Sequence, residues 1–106
     1  MVYGTEKFEF GKRLAELRLN RKVSARDMSL SIGQSAGYIN NVENGVNYPS
    51  MSAFFYICEY LNISPKDFFD DGISNPSQLN ELMAAAGKLS VEQLNHLIAI
   101  AADLQK

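Results

Sequence analysis

Two short helical patterns jointed at one glycine organise the middle of the chain. Met28 and Ile32 lie four apart, Gly33-Gln34 interrupts, and Ile39 and Val42 lie three apart before Asn44-Gly45 ends the second segment. That grammar predicts a helix-turn-helix, with Gly33 free to take the positive φ of a sharp bend and Ser35 placed to cap the second helix. Its polar face would carry Ser35, Ala36, Tyr38, Asn40 and Asn41, a face that can lie in the DNA major groove.

The pattern continues on both sides. Thr5 is a cap for a first helix reaching about Arg21, with Phe10, Leu14 and Leu17 as its buried stripe and Lys12, Arg13 and Glu16 facing water. Ser24-Ala-Arg-Asp27 has capping-box spacing for a second helix over about 25–32, and the third spans about 35–44. After the loop Gly45-Val-Asn-Tyr-Pro49, a fourth helix reads Met51, Phe54, Phe55, Ile57, Cys58 and Leu61, apolar over more than half its circumference. Ser64-Pro65-Lys66-Asp67 starts a fifth, packed through Phe68 and Phe69. Two amphipathic helices follow, one with Leu79, Leu82, Met83 and Ala86 on a face, the other opening at Ser90-Val-Glu-Gln93 with Leu94, Leu97, Ile98, Ala101 and Leu104 in a stripe. The expectation is an all-α chain: a five-helix domain over 1–72, then a helical extension over 73–106. That extension either meets a partner subunit, as a dimerisation element, or folds back on its own chain.

Net charge of −2 by itself argues against non-specific nucleic-acid binding, but the charge is unevenly spread. Residues 1–26 carry seven basic and three acidic groups, +4; residues 27–106 carry three and nine, −6. A positive edge on a negative body would orient the molecule towards DNA, unless these are only the solvated side of an amphipathic helix. No apolar run approaches the roughly 18 residues of a membrane span, and the first residues lack the blocks of a signal peptide. A cytoplasmic location without membrane contact is expected. One cysteine and one histidine leave no basis for an internal disulfide or a metal cluster.

Gly11, Leu14, Leu17, Arg18, Ser24, Met28, Gly33, Ser35, Ile39, Val42, Glu43, Asn44, Gly45, Pro49, Leu61 and Ser64 together make residues 10–69 resemble the Cro and phage-repressor (XRE) class of helix-turn-helix domains. Ile-x-x-Val-Glu-Asn-Gly followed by Pro49 is the most specific piece. The resemblance implies a lambda-repressor-like fold. It also implies a sequence-specific DNA-binding regulator, most often a repressor, that meets a palindromic operator in double-stranded DNA as a homodimer. Base-reading positions carried over by the resemblance are Gln34, Ser35, Ala36, Gly37, Asn40 and Asn41; phosphate-binding positions are Arg26, Ser35, Tyr38, Asn44, Asn47 and Tyr48. Ala25 stands where the family commonly has a glutamine that grips the backbone. Arg18 and Glu43 match a pair that is ion-paired in the family; Arg18 also lies four residues after Leu14, so its head group is drawn inwards and needs an anion.

Asn41 has the groups for a bidentate bond to adenine, and Gln34 or Asn40 for another from the flanks; no arginine or lysine lies on the third helix, so an A·T-leaning site is expected. No nucleophile and base constellation, phosphate loop or cofactor motif is present, so neither an enzyme nor a cofactor is expected. An antitoxin repressing its own operon is a variant of the regulator reading. A protein-interaction adaptor on a helix-turn-helix scaffold is the alternative from another class, favoured by net acidity, Ala36, Gly37 and the missing glutamine.

Overall fold

A computed structural model of the chain describes residues 8–105. Among them are seven α-helices and no strand: α1 Phe10–Asn20, α2 Ala25–Ser31, α3 Tyr38–Glu43, α4 Met51–Leu61, α5 Pro65–Phe69, α6 Pro76–Ala86 and α7 Val91–Leu104. Serine opens four of them. The hydroxyls of Ser24, Ser50, Ser64 and Ser90 each accept from the backbone N–H three residues on, and Ser64 with Asp67 and Ser90 with Gln93 complete reciprocal capping boxes. The expected cap Thr5 lies outside the described residues; α1 starts at Phe10 behind Glu9, whose side chain makes no cap bond.

The first four helices close by one device. At Lys22, Gly33, Gly45 and Asn62 the backbone turns left-handed, and the following N–H reaches back across the last turn, as Gln34 does to the Ser29 carbonyl at 2.9 Å. Gly33, at φ +81°, takes this conformation without the crowding a Cβ would bring, which is what lets α3 leave α2 at a sharp angle.

The core is one cluster: Leu14 and Leu17 from α1, Met28 from α2, Ile39 and Val42 from α3, Phe54, Ile57, Cys58 and Leu61 from α4, then Ile63 and Phe68. Phe68 is wholly buried among Phe10, at 4.7 Å between ring centroids, and Phe54, at 5.1 Å edge-on. Phe55 and Phe69, expected to pack inwards, are each half exposed.

Arg13 corrects the sequence reading. Expected to face water, it is 3% exposed, and all of its donor nitrogens are engaged. Nε donates to the Phe68 carbonyl at 2.6 Å, Nη2 to the carbonyls of Asp67 and Asp70, and Nη1 to the Ile73 carbonyl and the Glu16 carboxylate. These carbonyls belong to the last turn of α5 and the chain leaving it, groups that a helix end otherwise leaves without partners. Arg13 thus caps α5 from α1.

The extension docks by its polar side. Asn20 Nδ2 donates to the Ser74 carbonyl and Arg21 to the hydroxyl of the buried Ser77, while Arg21 also pairs with Glu81 at 3.2 Å. Gln78 donates to the Asn20 carbonyl at 3.0 Å, and Asn80 to the Asn62 carbonyl at 3.1 Å and to Asp67 at 3.2 Å. Leu79, Leu82 and Met83, the apolar face of α6, are left exposed, and α7 has no buried residue.

Candidate nucleic-acid interface

Four contacts fix α3. Ile39 and Val42 point into the core and are buried. Ser29, itself wholly buried in α2, donates to the Ala25 carbonyl at 2.7 Å and accepts from the Ile39 N–H at 2.9 Å, so a side chain of the neighbouring helix satisfies one of α3's unpaired N–H groups. Arg18 grips Glu43 with two bonds, Nε to Oε2 at 2.6 Å and Nη2 to Oε1 at 3.0 Å, and its third bond goes to the Val23 carbonyl at 2.9 Å. The bonds to Glu43 hold the Arg18 guanidinium charged more firmly than usual, against the desolvation that burial imposes. Gly11 lets α1 approach the end of α3 closely: a Cβ there would sit 2.3 Å from the Glu43 carbonyl oxygen.

The expected cap Ser35 does not cap α3. The helix begins at Tyr38, three residues later than the sequence suggests, behind Gly37, and the Ser35 carbonyl instead accepts the Tyr38 N–H in a preceding turn. Residues 36–37 fold into that turn, which moves Ser35 and Ala36 off the helix. With no side chain at Gly37 to serve as cap, Ser29 supplies the acceptor from α2.

With its inner face anchored, α3 presents an outer one. Gly37, Asn40, Asn41 and Asn44 recur at helical spacing and are exposed, as are Ser35, Asn47 and Tyr48. Gln34, Ala36 and Tyr38 are half-buried; Tyr38 packs against the core, and burial raises its phenol pKa. Arg26 projects from the first turn of α2 and is exposed, whereas Ala25 is half-buried against the core. The extension covers none of the exposed positions of α3.

The positive edge read from composition is largely consumed. Arg13 serves carbonyls, Arg18 serves Glu43, Arg21 serves Ser77 and Glu81, and Lys12 pairs with Glu9 at 3.2 Å. Lys22 and Arg26 are the exposed cations that remain in α1, α2 and the turn between them. Among the described residues no histidine, cysteine and carboxylate cluster could hold a metal ion, and no helix is long and apolar enough to cross a membrane.

Sequence reasoning missed Ser29, which holds α3, and Arg13, which holds α5. Arg13 had a signal: positions 10, 13, 14 and 17 share one helical face. Ser29 had only its place beside Met28, facing the next helix.

Comparison with curated proteins and with solved structures finds no match. Against protein families, the model described as helix-turn-helix domain matches residues 11–71, from the glycine that seats α1 on α3 to the end of the α5 turn. The seven helices, the glycine-jointed α2 and α3 and this match over more than half of the sequence agree with one another: the chain belongs to the helix-turn-helix domain family, whose members are typically DNA-binding regulators rather than enzymes.

Proposed function

We propose that the protein is a sequence-specific DNA-binding transcriptional regulator, a repressor that occupies a palindromic operator in the cytoplasm as a homodimer. The observation that carries the reading is the exposed edge of Asn40, Asn41 and Asn44 on a helix whose inner face is pinned by Ser29, Arg18 and Gly11. Asn40 and Asn41, with Gln34, Ser35, Ala36 and Gly37 at the approach, read base edges; Asn41 suits adenine, and Ala36 a thymine methyl. Arg26, Ser35, Tyr38, Asn44, Asn47 and Tyr48 hold phosphates and set the register. Two recognition helices on a twofold axis meet half-sites about 34 Å apart.

The shortage of free cations favours a second reading, an interaction adaptor that no longer reads DNA. Selection of bound fragments from the source genome, followed by titration at two salt concentrations, separates the two. For a dimer using Lys22 and Arg26 from each subunit, log affinity falls with log salt at a slope of about −4, against about −13 were all seven N-terminal cations of each subunit to face phosphates. Asn41→Ala costs about 1–3 kcal/mol at one base position, whereas Arg26→Ala weakens all sequences alike. Absence of binding at low salt refutes the regulator and leaves the adaptor.

A further inference from the structure

The orientation of α6 is inverted with respect to an ordinary surface helix. Its polar residues Ser77, Gln78, Asn80 and Glu81 face the helix-turn-helix unit, and its apolar residues face out. Helix α7 has no buried side chain of its own. Fourteen residues make a helix about 21 Å long, and isolated helices of that length are marginal in water.

We infer that the outward face of α6 and α7 is a self-association surface, on which the same two helices of a second copy pack in a four-helix arrangement. Leu79, Leu82, Met83, Val91, Ile98 and Leu104, 42–80% exposed, leave on the order of 600 Å² of apolar area, the top of the range for a monomer's largest patch and close to the ~800 Å² per partner of a stable interface. On α7, Leu94, Leu97 and Ala101 form the centre of an apolar arc, with Val91 and Ile98 on one flank and Ile100 and Leu104 on the other. One neighbouring helix cannot cover an arc that wide, but a bundle can.

The occupant follows from charge. Glu81 is turned to Arg21, Lys88 lies between the two helices, and Glu92 and Asp103 share the side of α7 opposite the Leu94, Leu97 and Ala101 centre. The apolar face therefore offers no counter-charge to an acidic or basic partner. A twofold copy of itself opposes no like charges there. A competing patch, the rim of Phe8, Phe55 and Phe69, is already stacked on Phe54 and Phe68, whereas Val91, Ile98, Ile100 and Leu104 on the flanks of α7 are 57–80% exposed.

This deepens the homodimer reading above, and the test keeps it apart from DNA binding. Sedimentation of the full chain between 1 and 100 µM without DNA is expected to show a dimer. Leu82→Ala with Ile98→Ala, which keeps helix propensity, is expected to raise the dimer dissociation constant at least tenfold with unchanged far-ultraviolet circular dichroism; Phe55→Ser is expected to leave it within twofold. A wild-type monomer throughout, or an unchanged constant in the double variant, overturns the inference. Loss of specific DNA binding by a wild-type dimer would refute only the regulator.

Discussion

Replacing Arg13 by methionine keeps the length of the side chain and removes every bond it donates. The bond from Nε to the buried Phe68 carbonyl is charge-assisted and contributes about 1.5–3 kcal/mol; the other carbonyls are part-buried and can recover water, so together they add roughly 1 kcal/mol. The expected loss is about 2.5–4 kcal/mol, a fall in Tm on the order of 15 °C for a domain of this size. Arg13→Lys should recover little, because one ammonium cannot span carbonyls at residues 67, 68, 70 and 73 that the planar fork reaches together. The assay is urea unfolding followed by circular dichroism, with Lys12→Met, one residue away and exposed, as control within about 0.5 kcal/mol. A loss below about 1 kcal/mol for Arg13→Met would show that water serves these carbonyls as well as the guanidinium does, and the account of how α5 is held would be wrong.

Gly11→Ala, which in a helix ordinarily stabilises by about 0.5–1 kcal/mol, should instead cost at least 1–3 kcal/mol, because the added Cβ meets backbone at Glu43; a gain in Tm refutes the close approach. Asp67 is held below the usual carboxylate range by the Ser64 N–H and then by Asn80. Its contribution is therefore present above the unfolded pKa and is lost as pH falls through the lower folded value; Asp67→Asn should lower Tm at pH 7, with the gap to wild type closing as acid protonates the folded carboxylate, and parallel curves would refute this. Burial pushes the Cys58 thiol up to about 11, so alkylation at pH 8 should proceed only on unfolding; labelling of the native protein within minutes would contradict it.

The helices were legible where local chemistry decides them. Ser24, Ser50, Ser64 and Ser90 announce starts because a cap bonds three residues along its own chain, and the stripes at Leu14, Leu17, Ile39 and Val42 announce the core because spacing alone puts them on one face. What failed was non-local. Arg13 shares the face of Phe10, Leu14 and Leu17, and only its charge assigned it to water; the carbonyls that admit it lie 54 to 60 residues away. Ser35 has the composition of a cap, yet the acceptor α3 uses comes from Ser29, a tertiary contact that capping rules do not see. The amphipathic pattern of α6 gave its apolar face correctly but not the direction that face would turn, because Asn20 and Arg21 draw the polar side in.

These non-local contacts converge on α1 and the turn that ends it. Gly11 seats the end of α3, Arg18 ties Glu43, Arg13 closes α5, and Asn20 with Arg21 receives α6. Three of the basic residues that give the first 26 positions their excess charge, Arg13, Arg18 and Arg21, are therefore structural, bonded to carbonyls, a hydroxyl and carboxylates of this chain and unable to meet phosphates without undoing those contacts. Charge counted along a sequence overstates the cations free to contact phosphates by the number of such groups, here Arg13, Arg18 and Arg21. In the regulator proposed above, a surface left with Lys22, Arg26 and neutral asparagines would gain little affinity from counterion release, so occupancy of a DNA site would have to come from specific contacts doubled by symmetry. That requirement and the outward apolar face of α6 and α7 call for the same thing, a second copy, although one arises from electrostatics at the helix-turn-helix and the other from unburied leucines in the extension.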